Sequence, residues 1–330
     1  MINCKLFYIK SPHLSQIYDG FEKLQRKGLI NLVYENSKGD VGYPLLKVLI
    51  NEKTTLVYDL LDTNKIDEAY LKSLKTDYYF KRSFPLNMIG GTEYEGAKIF
   101  PLGFNYPISK EGKYKYVKQV LNDFGLVKGE IRKNTYPSEI FEAFPTRNKV
   151  NKVLFYCNLW NPYIDISDKS KMDRQEINEN RIAIIQTLKK EFGTFFKGGL
   201  ISTKFSLKTC KELVVPRSLT NKNNYLKEIK SSNICISTTG LHGSVGWNFG
   251  EYMAASRAII TMPLNSKFPG NLVENGNYLV FNNQDELVQK VEFLLNNSDA
   301  QQSMMIKNFR YYNNYLKPEN LVLNTLLEVL

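Results

Sequence analysis

Apolar positions along this chain switch repeatedly between a two-residue and a 3.6-residue period. Residues 5–9 alternate like a strand, and from Leu14 onward Leu14, Ile17, Tyr18, Phe21 and Leu24 share one helical face. Strands are predicted at 31–34, 47–50 and 55–58, a helix near 67–74, and further strands at 77–80 and 98–100. A second series opens with a strand at 153–156 and an amphipathic helix at 180–192 that aligns Ile182, Ile185, Leu188 and Phe192. It continues with strands at 200–202, 212–215 and 233–236 and a helix at 285–295, before a helical tail over 301–330 that breaks at Pro318. Strands that alternate with helices predict parallel α/β sheets with helices on both faces. Between 109 and 151 the periodicity fails, apart from one helical stretch at 116–124, and the composition shifts to Lys, Tyr, Gly and Asn. That interval reads as a connector, so two domains are expected, at 1–150 and 151–330. A chain of 330 residues also exceeds the size at which one core usually keeps growing.

The segment from 233 to 281 is the most informative. A strand-like Ile234-Cys-Ile236 runs into Ser237-Thr238-Thr239, followed by a loop with glycines at 240, 243, 246 and 250. A short helix then carries Glu251, and a second apolar strand follows at 258–260. Strand, glycine-rich turn and helix N-terminus together make a place for phosphate, because backbone N–H groups and the helix dipole point at the anion. A carboxylate one turn into that helix can reach a ribose diol. Thr238, Thr239, Gly243, Ser244, Gly246, Trp247, Asn248 and Glu251 are therefore the candidate donor-binding residues of this loop.

The same segment resembles the donor-binding half of GT-B glycosyltransferases, group 1, which move a sugar from a nucleotide diphosphate. Glu251-Tyr-Met-Ala-Ala-Ser-Arg-Ala-Ile-Ile260 looks like the family's helix and following strand, and Val273-Glu-Asn-Gly-Asn-Tyr-Leu-Val280 like its next turn. Where the retaining members place an acidic residue eight positions before the helix Glu, this chain has Gly243. The resemblance implies two Rossmann-like domains facing across a cleft, with a C-terminal helix returning to the first. It implies a ribose-binding role for Glu251, a nucleotide-diphosphate sugar as co-substrate with no further cofactor or metal, and a glycan or lipid-linked acceptor. Cell-envelope polysaccharide synthesis is the setting it suggests. It leaves open whether the anomeric configuration is inverted or retained.

Charge and composition narrow the partners. Forty-four basic against thirty-three acidic residues give +11, which favours an anionic partner such as a nucleotide or an acidic membrane face. The lysines are dispersed, with neither zinc-finger spacing nor an RNA-recognition signature, so nucleic acid is not the expected ligand. No stretch approaches a membrane span, the start of the chain lacks a signal-peptide pattern, and the four cysteines are scattered. A cytoplasmic protein, peripheral at the inner membrane face at most, is the expectation.

Sugar transfer to a hydroxyl calls for a base near neutrality, and the chain offers two histidines. His13 follows the first predicted strand, and His242 lies in the glycine loop. Either is a candidate catalytic residue, and each has a plain structural alternative as a capping or solvent-facing side chain. The leaving diphosphate needs positive charge, for which Arg174, Arg181, Lys204 and Arg217 are candidates, Arg174 and Arg181 being placed before and at the start of the 180–192 helix. Asp59, Asp62 and Asp67 read as caps, and Asp165, Asp168 and Asp173 as a solvated loop without the glycine of a calcium site. The tyrosine run at 311–315 fits either a membrane interface or packing on its own protein. A dinucleotide enzyme is disfavoured because no G-x-G-x-x-G follows the first strand, while a nucleotide-sugar or nucleic-acid binding module without catalysis stays open at Gly243.

Overall fold

The computed structural model describes residues 1–36, 44–108, 136–164 and 166–330. The helix expected at 116–124, Asp40, Asp165 and the lysines at 110, 113, 115 and 118 lie outside the described residues. Two compact units emerge, each assembled from more than one segment. The first comprises Met1–Ile140, Asn265–Leu272 and Tyr311–Leu330, and the second Phe141–Leu264 and Val273–Arg310.

In the first unit, β1 (Ile2–Tyr8), α1 (Ser15–Arg26), β2 (Ile30–Asn36), β3 (Leu45–Ile50) and β4 (Thr54–Asp59) come first. They are followed by α2 (Glu68–Ser73), β5 (Tyr78–Lys81), β6 (Glu93–Tyr94) and β7 (Ala97–Pro101). The sheet order is β2-β1-β3-β4-β5-β7-β6. It is mixed, not all parallel: β3 runs antiparallel to both β1 and β4, and β6 antiparallel to β7. The cause is local. Only Asn51-Glu-Lys53 separates β3 from β4, and a parallel crossover needs a dozen residues or more, so the two strands can only form a hairpin. Asn51 and Glu52 take the positive φ values, 49° and 58°, that close it.

The apolar face of α1 is the one the spacing predicts, with Leu14, Ile17, Tyr18, Phe21 and Leu24 all buried. It packs on the sheet and on the last helix of the chain, which carries Leu321, Val322 and Leu326 into the same core. Truncating Phe21, which has no exposed surface, to Ala would cost about 3–5 kcal/mol. Gly20 permits the close approach of the two helices, since a Cβ there would sit 2.3 Å from the Pro318 carbonyl oxygen. Of the tail, Tyr311–Leu330 belongs to the first unit and the part before it to the second, and Tyr311 and Tyr312 are buried at 3% and 1% exposure.

In the second unit, β8 (Val153–Cys157), α3 (Asp168–Phe192), β9 (Phe196–Leu200), α4 (Lys204–Thr209), α5 (Arg217–Thr220) and α6 (Lys222–Ser231) are followed by β10 (Ile234–Ser237). Then come α7 (Trp247–Ala254), β11 (Ala258–Thr261), β12 (Leu279–Val280), α8 (Gln284–Asn296) and α9 (Ser298–Tyr311), and in the first unit α10 (Pro318–Leu327) closes the chain. This sheet is parallel throughout, in the order β12-β11-β10-β8-β9. Its direction of winding reverses between β8 and β10, the kind of switch point at which α/β sheets hold ligands outside the carboxyl ends of their strands.

Three expectations are corrected here. The third helix begins at Asp168, twelve residues before the expected start at 180, because Ser167 caps it by accepting from the Ser170 N–H. The strand placed at 200–202 is β9 at Phe196–Leu200, whose two glycines disguise it. They are needed: a Cβ on Gly198 would lie 2.2 Å from the Phe155 carbonyl oxygen. Residues 212–215 make a 3-10 turn at Lys211–Leu213 and a single bridge from Val214 to Leu200 instead of a strand.

Candidate functional site

Two loops leave the second sheet on either side of the switch point, one after β8 and one after β10. Helix α3 ties the first of them down. Arg174, Asn178 and Arg181 fall on one helical face, and each holds the 158–161 backbone. Arg174 Nη1 donates to the Asn161 carbonyl at 2.8 Å, and its guanidinium lies 5.7 Å from the centre of the Trp160 ring. Asn178 exchanges two bonds with Trp160, accepting from its N–H at 2.8 Å and donating to its carbonyl at 2.7 Å. Arg181 Nη1 donates to the Asn158 carbonyl at 2.6 Å.

Arg181 also crosses to the second loop, reaching Thr238 Oγ1 at 3.3 Å from Nε and the Thr239 carbonyl at 3.4 Å from Nη2. It is therefore a brace between the loops, buried mid-helix and not at a helix start as the sequence suggests. Burial lowers its pKa from the ordinary arginine value, with the Cys157 thiol opposing that shift. In the loop after β8, Asn158 Oδ1 and Trp160 Nε1 are shut off from solvent without a hydrogen-bond partner among the described residues. An acceptor and a donor thus stand together in this loop.

The loop after β10 is compact. Thr239 bridges to Val245, Gly240 N–H donates to the Ser244 carbonyl at 2.7 Å, and Ser244 N–H to the Leu241 carbonyl at 3.2 Å. His242 and Gly243 sit at its tip with φ of 59° and 67°. Thr238 and Ser244 are buried, whereas His242 faces solvent. Gly246 is the N-cap of α7 and offers no side chain to the helix. A Cβ there would lie 2.6 Å from Asn248 Oδ1, which itself accepts from Ser237 Oγ at 3.2 Å. A side chain at 246 would therefore have to displace the Asn248 amide from the first turn of α7. Four other helices of this unit start under side-chain caps, from Ser167, Thr203, Asn221 and Asn283. Helix α7 instead presents its positive end beside a glycine loop, which suits an anion. Trp247 stands half-buried as the first residue of that helix.

Glu251 lies on α7 at 3% exposure and is engaged by Lys222 Nζ. The sequence reading missed this lysine. Lys222 opens α6 and is wedged between the rings of Phe141 and Tyr225, 5.2 Å and 5.1 Å from their centres. Only the spacing of Lys222 and Tyr225 was visible in the sequence; Phe141 and Glu251 come from distant segments. Lys204 and Arg217, by contrast, stand exposed at the first positions of α4 and α5.

His13 belongs to the first unit. It sits half-buried in the turn between β1 and α1, where Asn105 Nδ2 donates to its carbonyl at 3.0 Å. Burial lowers the pKa of its imidazole, and the Arg82 charge lowers it further. The ends of β4 and β5 carry a closed set of charges. Asp59 Oδ2 accepts from Lys81 Nζ at 2.6 Å and from the Tyr79 hydroxyl, and Oδ1 from the Leu61 N–H at 2.8 Å. Arg82 pairs with Asp62, and burial pulls its pKa down to about 10. Asp67 caps α2 by accepting from Tyr70 N–H at 2.9 Å, as expected of it. Asp168 pairs with Lys171 at 3.0 Å. Among the described residues no group of three His, Cys, Asp or Glu side chains could hold a metal ion, and no helix is long and apolar enough to cross a membrane.

No family model matches this chain, and neither does any curated protein. Solved structures do. The chain is similar to HepE of Anabaena, crystallised with UDP, at 10% identity and a TM-score of 0.44 over 98% of this chain and 97% of that one. It is also similar to WaaG, a glycosyltransferase involved in lipopolysaccharide biosynthesis, at 9% identity and a TM-score of 0.43 over 98% and 97%. The C-terminal domain of the group 1 glycosyl transferase LpcC from Francisella tularensis matches at 15% identity and a TM-score of 0.35, over 55% of this chain and 97% of that domain. This chain spans 54% of the matched GtfA/B chain and 64% of TarM.

Proposed function

We propose that this protein is a glycosyltransferase that takes its sugar from a nucleotide-diphosphate donor bound in the second unit. The observation that carries this is the pair of loops at the β8–β10 switch point, braced by Arg181 and ending on the uncapped glycine start of α7. The positive end of α7 and the loop N–H groups receive the diphosphate. Glu251, four residues into the helix, takes the ribose hydroxyls, with Lys222 beside it to balance the charge. Asn158 Oδ1 and Trp160 Nε1 supply an acceptor and a donor to the same ligand. Thr238, Thr239, Ser244, Trp247 and Asn248 line or anchor the loop, while Arg174 and Arg181 act through the backbone they hold. His242, at the loop tip, is placed for the sugar or a phosphate.

His13 is the base that takes the acceptor proton. Its lowered pKa keeps the imidazole neutral and ready to accept. The acceptor is a glycan or a lipid-linked sugar of the cell envelope, and a net charge of +11 suits a cytoplasmic enzyme working beside an anionic membrane face. No metal is required, since the positive end of α7 and the loop N–H groups do the electrostatic work.

Calorimetry with UDP and GDP, paired with an assay of donor hydrolysis on a panel of UDP- and GDP-sugars, tests the proposal. Saturable diphosphate binding that Gly246→Val abolishes, together with slow release of free sugar, is expected. Neither diphosphate binding at millimolar concentration would refute it, and binding without turnover of any donor would leave a sugar-nucleotide binding module.

A further inference from the structure

One recess of the first unit belongs to none of this chemistry. It has a volume of about 660 Å3, is open on one side, and lies wholly among residues of that unit. Phe268 and Tyr315 give it aromatic surface over the packed Phe80 and Phe100, and Asn324 of α10 and Glu328, the residue that caps its end, give it polar groups.

The aromatic surfaces are fixed in place. Phe80 and Phe100 stack with centres 5.3 Å apart and planes 22° apart, and Phe100 stacks again on Tyr78 at 6.4 Å and 17°. Phe268 is braced by Phe104, edge against face, at 5.5 Å and 77°. Tyr315 lies flat on Gly270, where φ is +66° and an added Cβ would fall 2.2 Å from the ring. Glycine is thus required at 270 on two counts, and it holds the Tyr315 ring as a platform. Asn324 and Glu328 stand one helical turn apart and share a face of α10. Asn324 spends its amide nitrogen on the Asn314 carbonyl at 2.8 Å, while Glu328 is an exposed carboxylate.

Three ligand classes suit aromatic recesses, and the lining separates them. An alkyl chain needs an enclosed apolar tunnel, yet this recess is open and carries a carboxylate at its rim. A quaternary ammonium needs a tight cage around one small group, and the volume here is several times too large. A sugar ring has apolar C–H faces that lie on flat aromatic rings and hydroxyl edges that donate to carboxylate and amide oxygens. The volume matches two or three such rings, and Glu328 disfavours acidic ones.

We infer that this recess is a binding site for a short neutral oligosaccharide, separate from the nucleotide site and independent of whether the protein transfers sugar. Cellotriose, maltotriose and chitotriose are the probes, measured on the full chain by saturation-transfer NMR and calorimetry, with dodecanoate and tetramethylammonium as the competing classes. At least one trisaccharide should bind with a Kd of about 1 mM or tighter. Phe268→Ala should weaken it about tenfold, and Glu328→Ala about fivefold. The second variant changes an exposed side chain and so keeps the test valid if the first fails to fold. UDP and GDP affinity should be the same in both. The inference is overturned if no trisaccharide binds, if binding survives both substitutions unchanged, or if only dodecanoate or tetramethylammonium binds in a Phe268-dependent way.

Discussion

Both sheets end, on their carboxyl side, in charged and polar loops, and they use them in opposite ways. In the first unit Asp59, Lys81 and Tyr79 close on one another, with both carboxylate oxygens occupied and the Lys81 and Asp59 side chains at 0% and 1% exposure. In the second, the buried Arg181 spends its guanidinium on backbone and a threonine hydroxyl, and among the described residues no carboxylate forms an ion pair with it. The first arrangement neutralises itself and is structure. The second leaves the positive end of a helix beside a glycine loop, an arrangement that suits the anionic guest proposed for it. What separates scaffold from site is whether the charges have already found each other.

The sharpest way to break this comparison is His13, a titratable group of the first unit that lies outside that set. If it is the acceptor base, His13→Ala should lower kcat by about 10²–10⁴-fold, which is about 3–5 kcal/mol of barrier. Nucleotide affinity, set in the second unit, should not change. The pH profile gives an independent check. Burial and Arg82 lower the imidazole pKa from 6.5, and a base works only unprotonated, so kcat should stay high as pH falls through 6.5 and drop only below it. An acidic limb at or above 6.5, or a variant that keeps most of its turnover, removes His13 from the reaction. Asp59 is no substitute, since both its oxygens are taken.

Next in size is the closed set itself. Asp59→Ala leaves Lys81 buried without its counter-ion, and removing one partner of such a pair costs about 3–5 kcal/mol. Urea unfolding should show that loss as a lower midpoint with the slope unchanged. A cost under about 1 kcal/mol would mean that the cluster is not holding the strand ends together.

How far the sequence reaches follows the same division. The face of α1 was legible because five apolar residues at helical spacing admit one solution. The glycine loop and α7 were legible because strand, turn and helix follow one another within twenty residues. The reversal of β3 was available but overlooked: a three-residue link excludes a parallel crossover. Lys222 was not available, because its meaning depends on Phe141 and Glu251, which the chain brings from 81 and 29 positions away in opposite directions. Arg257 was hidden for the same reason. Its guanidinium is fully buried, yet it bonds carbonyls of Phe144, Thr146, Lys230, Ser232 and its own segment, and none of these registers as a charge in the sequence. Contacts made to the backbone leave no compositional trace.

A smaller effect sharpens the second side of the comparison. Glu251→Gln removes a charge-assisted acceptor and should weaken UDP or GDP binding by about 1–3 kcal/mol with the fold intact. Lys222→Met should leave Glu251 buried and uncompensated, so its cost falls first on stability and only then on affinity. Calorimetry of the two variants separates these effects, and unchanged affinity in Glu251→Gln would take the ribose role away from that residue.

The smallest expected effect is none at all. If loop N–H groups and the start of α7 neutralise the diphosphate, a divalent ion has nothing left to do, and activity should survive EDTA unchanged. The chain contains no D-x-D pair, the motif through which the other main glycosyltransferase fold binds its metal on the diphosphate. The experiment is direct: initial rates with the preferred donor, before and after chelation, then with manganese or magnesium restored. Rates that collapse with EDTA and return with manganese would show that the second unit does not close its own charge balance. The helix start and the glycine loop would then be only part of the anion site, and the contrast with the self-neutralised first unit would have to be drawn around an ion shared by protein and diphosphate.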